Sequence, residues 1–233
     1  DNVFISHFLN HSFIEHESDF YFFDLPQEIE NKNQSSLQLY INFTSKSSSK
    51  IQKRWKNRPI ASIALPRYLS IFQEIKIRGL LFREAILILK SKSTSKFEKR
   101  VKFQAAIASL SSATHSNYRL AVILQKYIKK NSVKRIFTTY EGHPWERLIF
   151  GMAREINPSI QCIGYQHALI FRKQHAIRRK LAKNFEPNFI LFSGEHGRQQ
   201  FKNIDYLPSN RLLCFGTNRS IETKTDQLAV NKK

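Results

Sequence analysis

The sequence predicts an α/β protein: a Rossmann-like parallel sheet flanked by helices. Two patterns carry that expectation. From Val133 onward, short apolar runs alternate with stretches of helical periodicity. Polar residues with useful chemistry gather where three of those runs end, which is where parallel sheets place ligand sites.

Taken in order, Val3 to Leu9 reads as a strand followed by a loop, and Asp19 to Leu25 is an aromatic-rich segment closed by Pro26. Leu37 to Thr44 alternates apolar and polar residues, the pattern of a half-buried strand. Ser45 to Ser49 is low in complexity and reads as a surface loop, leading into a poorly ordered basic segment up to Pro59. Arg67 to Lys90 has helical spacing, as one helix or as two broken at Gly79. Phe97 to Lys130 is helical again, with a kink or loop between Ser109 and Ser116. Val133 to Thr139 is a strand, and Pro144 to Ile156 is a helix with proline in its first turn, stopped by Asn157-Pro158. Ile160 to Gly164 and Asn188 to Phe192 are strands, Glu195 to Asn203 a short helix, and Arg211 to Phe215 a last strand.

The chain has 233 residues, 41% of them hydrophobic, enough to build a core. No run reaches the ~20 apolar residues that span a bilayer. Leu80 to Leu89 comes nearest, and Arg83 and Glu84 interrupt it. Asp1 in place of an initiator methionine suggests a fragment or a processed form. Cys162 and Cys214 each sit in an apolar strand and read as buried free thiols of a reducing compartment, without metal-ligand spacing around them. Lys and Arg total 38 against 18 Asp and Glu, a net charge of +20 that calls for an acidic partner. Nucleic acid, anionic lipid headgroups and phosphorylated small molecules all qualify.

The chemistry concentrates in three turns. The first, Tyr140-Glu141-Gly142-His143-Pro144-Trp145-Glu146-Arg147, follows the strand from Val133. The second is Gly164-Tyr165-Gln166-His167, and the third Ser193-Gly194-Glu195-His196-Gly197. Parallel-sheet geometry brings them to one crevice. Glu141 stands at a strand end with no structural reason to be acidic, so it is a candidate catalytic group beside His167. Glu146 lies in a first helical turn, where it serves either as a cap for the helix or as a second catalytic carboxylate. Trp145 either stacks on a ligand or joins the core. Gly164 is expected to let the backbone turn and approach a ligand. The Ser193-Gly194 turn, with Arg172, Lys173 and Arg198 nearby, is either an anion site or a solvated basic face. No P-loop, GxGxxG, HExxH, GxSxG or CxxC motif is present.

Tyr140 to Glu146, Ile163-Gly164-Tyr165-Gln166-His167-Ala168 and Pro187 to Gly194 together resemble bacterial surface-carbohydrate (O-antigen and capsule) biosynthesis proteins that look like GT-B glycosyltransferases. The resemblance covers mainly residues 130–220. It implies residues 1–185 as an acceptor-side domain with a helical insert at 67–130, residues 186–219 as the start of a second Rossmann-like domain, and residues 220–233 as a disordered tail. It also implies transfer of a sugar from a nucleotide sugar, a substrate rather than a cofactor, to a glycan or polyprenyl-phosphate-linked acceptor. The catalytic residues would be Glu141, His167 and Glu146, with substrate contacts from His143, Trp145, Arg147, Gln166, Arg172, Ser193, Gly194, Glu195 and Arg198. No metal is expected. The location implied is the cytoplasm, with peripheral contact at the inner face of an anionic membrane. Two alternatives stand beside this reading: a basic nucleic-acid-binding protein, which no RRM, KH, helix-turn-helix or zinc-finger signature supports, and a non-catalytic fragment of the same fold.

Overall fold

Seven short apolar strands pair side by side, all parallel, in the computed structural model, which describes residues 1–9, 19–168, 176–202, 204 and 207–216. They are β1 (Asn2–Phe8), β2 (Ser36–Asn42), β3 (Ala61–Ala64), β4 (Arg135–Thr139), β5 (Gln161–Gln166), β6 (Phe189–Phe192) and β7 (Leu212–Cys214). Seven helices connect them: α1 (Leu25–Asn31), α2 (Ser48–Arg54), α3 (Ile71–Lys90), α4 (Lys96–Ser109), α5 (Ser112–Lys130), α6 (Pro144–Ile156) and α7 (Glu195–Gln199). The sheet order is β3-β2-β1-β4-β5-β6-β7, so the fold is the expected Rossmann-like α/β arrangement. From β1 the chain moves outward to β2 and β3, then returns to lay β4 on the opposite side of β1. The carboxyl ends of β1 and β4 therefore flank the point where strand order reverses, the position at which open α/β sheets open a crevice.

Side chains two residues apart share a face of the sheet, and the core divides accordingly. Val3 and Ile5 of β1 join Leu39, Ile136, Cys162, Ile190 and Leu212 in one layer, closed by Ile123, Leu124 and Ile128 of α5 and Ile149, Phe150 and Ala153 of α6. Phe4 belongs to a second layer with Phe22, Phe137, Ile163 and Tyr165, against which Leu25 and Ile29 of α1 pack. Its ring stacks on Phe137 with centroids 4.6 Å apart. This alternation places His7 on the face that carries α5 and α6.

Several elements differ from the sequence expectation. The region read as a loop and a poorly ordered basic segment holds α2, and β3, just past Pro59, has no counterpart in the sequence expectation. The Ser47 hydroxyl accepts the Lys50 N–H and starts α2, while Ile51 and Trp55 bury against Phe8, Tyr40 and Ala64. One apolar pair in a single turn is too short a signal for periodicity to detect. Gly79 does not break α3, which runs through it; no neighbour lies within 4 Å of where its Cβ would stand. The break expected between Ser109 and Ser116 falls at Leu110, and Ser111 caps α5. The boundary at 186 is corrected by strand pairing: β6 pairs with β5 and β7 with β6, so residues 189–214 extend the first sheet instead of opening a second. α7 stops at Gln199, short of Asn203. Cys162 is buried as expected, whereas Cys214 on the edge strand β7 is exposed. The expected tail, 220–233, lies outside the described residues.

Candidate functional site at the strand-order switch

The first turn is built by what its backbone requires. Gly142 sits at φ 82, and a Cβ there would come within 2.4 Å of the backbone of Ala176 and Ile177. Only glycine fits, and the reversal it permits starts α6 at Pro144. Glu146 then reaches back. Its carboxylate accepts the His143 N–H at 2.8 Å and the Glu141 N–H at 3.1 Å. This is the helix-cap alternative, and it corrects the catalytic one: the Glu146 carboxyl is fully buried and faces its own turn. Burial pushes it up to about 8, against the opposing pull of His143 and of the backbone N–H groups.

With Glu146 inside, the exposed chemistry belongs to Glu141. One of its oxygens meets His143 Nε2 at 3.2 Å, and the other lies 4.0 Å from His167 Nε2. The hydrogen bond from His143 holds the Glu141 carboxyl below its usual range despite partial burial. Glu141 in turn raises His143. His7, at the end of β1, completes the group. Burial first, then the neighbouring His143 and His167, lower it to about 4, so it is a neutral imidazole near pH 7. The Tyr21 ring stands edge-on to His167 at 4.7 Å and to His7 at 6.0 Å. Tyr21 is placed by Asp19, whose buried carboxylate accepts the Tyr21 and Phe22 N–H groups, both at 2.7 Å, and the Ser6 hydroxyl at 2.5 Å. Burial raises the Asp19 carboxyl.

Trp145 takes the core alternative. It is buried, with the His7 ring edge-on at 5.1 Å. The two rings line a groove of about 290 Å³ that runs under the ends of β2 and β3 and along α5, bordered by Asn42, Phe43, Arg67, Asn117 and Arg119.

The other expected contacts fall elsewhere. Arg147 is buried, pairs with Glu186 at 3.4 Å and donates to the carbonyls of Ala176 and Arg179. It anchors the segment after β5, and a side chain so enclosed does not reach a substrate. Gln166 is buried too, its amide donating to the Ala168 carbonyl. Gly164 makes no sharp turn: it lies within β5, and a Cβ there would stand 2.6 Å from the Tyr140 ring. The glycine makes room for packing. Ser193 continues the β5–β6 ladder through its N–H to the Gln166 carbonyl. Gly194 precedes α7 in extended conformation. Arg198 donates twice to Glu195, both at 2.7 Å, and Lys202 lies 3.7 Å from the same carboxylate. Those cations are matched internally, so the basic-face alternative describes this turn. Arg172 and Lys173 lie outside the described residues.

Comparison with protein-family models and with curated proteins gives no match for this chain. The geometry therefore speaks alone. It offers a half-exposed carboxylate between two imidazoles, a third neutral imidazole beside them, and an adjoining groove. A carboxylate–imidazole pair of this kind can take a proton from a hydroxyl and hold the resulting positive charge. Among the described residues no group of His, Cys, Asp or Glu is arranged to hold a metal ion. His7, Asp19 and Tyr21 join the site although no motif singles them out. His7 lies inside the apolar run Val3 to Leu9, followed by Phe8 and Leu9, so it lacks the mark that singled out His167, a histidine closing such a run.

Proposed function

We propose that the chain is the acceptor-side part of a GT-B-like glycosyltransferase of surface polysaccharide biosynthesis. In this reading it moves a sugar from a nucleotide-activated donor to a glycan or lipid-linked acceptor. The observation that carries the reading is the Glu141–His143–His167–His7 cluster at the switch between β1 and β4. Glycosyl transfer needs the acceptor hydroxyl to lose a proton as the new bond forms. Glu141 and His167 supply the base, with Glu141 countering the charge His167 acquires. The amide of Asn117 and the guanidinium of Arg67 in the adjoining groove suit an acceptor that carries hydroxyl or phosphate groups.

The test is replacement of the gene in its host by Glu141→Ala or His167→Ala, with folding checked by circular dichroism of the purified variants. Loss of surface glycan in both, with thermal unfolding unchanged, is the expected result. Normal surface glycan in both overturns the reading.

A further inference from the structure

The helices between β3 and β4 carry an apolar surface that the sheet does not use. Of eighteen large apolar side chains exposed among the described residues, twelve lie between Tyr68 and Leu110, which concentrates the exposure on α3, α4 and their flanks. α3 buries Ile77, Leu81 and Ala85, yet Phe72 is 85% and Ile75 63% exposed. Phe72, Ile75, Gly79, Phe82, Ile86 and Leu89 follow one another at alternating steps of three and four, so they form a second stripe beside the buried one. α4 buries Ala106 alone, and Phe97, Val101, Phe103 and Ile107 stand exposed. An apolar surface of this extent marks a place where something docks.

Charge decides what docks there. The three acids of the α3–α4 hairpin are each matched: Glu74 by Arg119 at 2.6 Å, Glu84 by Arg83 at 3.7 Å and Glu98 by Lys102 at 2.6 Å. Lys76, Lys90, Lys92, Lys96, Lys99 and Arg100 add positive charge to the same hairpin. A second copy would set like charge against like. Nucleic-acid phosphates would take the charge and leave the phenylalanines in water. An anionic lipid surface takes both, with Phe and Ile side chains sinking beneath the headgroups while Lys and Arg remain among them. No helix among the described residues is long and apolar enough to cross a membrane, so the contact is one of lying on the surface.

We propose that the α3–α4 hairpin is a docking surface that seats this protein on an anionic lipid bilayer. The proposal does not depend on the sugar-transfer reading, although Arg67, just before α3, lines the groove beside His7.

Cosedimentation of the 233-residue chain with phosphatidylcholine vesicles, with and without phosphatidylglycerol, tests it. Binding to the anionic vesicles that weakens with salt and is much lower on the neutral ones is expected. The combined variant Phe72→Ser, Phe82→Ser, Phe97→Ser removes exposed side chains only, and its melting curve checks that the fold survives. It is expected to lower partitioning at least about tenfold. Partitioning equal to that of the wild type overturns the proposal. A dimer in light scattering that the same variant dissolves, without vesicle binding, assigns the surface to a second copy and overturns it too. So does duplex DNA binding unchanged by the variant in the absence of vesicle binding.

Discussion

Glu146 and His7 tie the stability of this protein to pH in opposite senses. The carboxyl of Glu146 is raised from 4.5 to about 8 by folding. Its contribution is fully present below 4.5 and is lost as pH rises through about 8. His7 is lowered from 6.5 to about 4, so folding loses stability as pH falls across that interval. Urea denaturation at a series of pH values is expected to show wild-type stability falling toward pH 8, and Glu146→Gln, which removes the titrating group, flattening that fall by about 2–4 kcal/mol. An unchanged slope in the variant would refute the assignment. Glu141 and His167 were legible as a pair because each ends an apolar run. The burial of Glu146 was not, since a capping carboxylate and a catalytic one leave the same mark in sequence; the N–H groups of Glu141 and His143 decide between them.

Helices and strands of this chain show where glycine is required and where it is merely tolerated. Gly164 gives its space to the Tyr140 ring, so Gly164→Ala is expected to cost about 1–3 kcal/mol in thermal or urea unfolding. Gly79 meets nothing, and Gly79→Ala is expected to stabilise the protein by about 0.5–1 kcal/mol by restricting the unfolded chain. Opposite signs at two glycines follow from their surroundings alone. Long elements were readable from sequence: α3, α5 and α6 each repeat their apolar spacing over several turns. α2 and β3 were not, for α2 offers one buried isoleucine and β3 spans four residues. Their identity comes from tertiary partners, Phe8 and Tyr40 across the sheet.

The molecule as a whole is closed by ties that sequence order conceals. That β6 and β7 join the first sheet depends on pairing with β5, which no local pattern encodes. Arg147 and Glu186, both buried, fasten α6 to the segment leading into β6. Removing the guanidinium leaves a buried carboxylate without its cation. Arg147→Ala is therefore expected to cost about 3 kcal/mol or more, measured by denaturation, far beyond what an exposed binding arginine would cost.

The position of β1 between β2 and β4 has a consequence for synthesis. As the chain emerges, β1 to β3 can assemble early, but the inner edge of β1 stays bare until residues 135–139 arrive. In that interval α3, α4 and α5 are made, and their contacts are local enough to form at once. The nascent chain thus carries an unpaired strand edge beside a finished helical hairpin, which makes this the stage at which mispairing with a neighbouring chain is easiest. Addition of β4 both ends that exposure and brings Glu141 to His7.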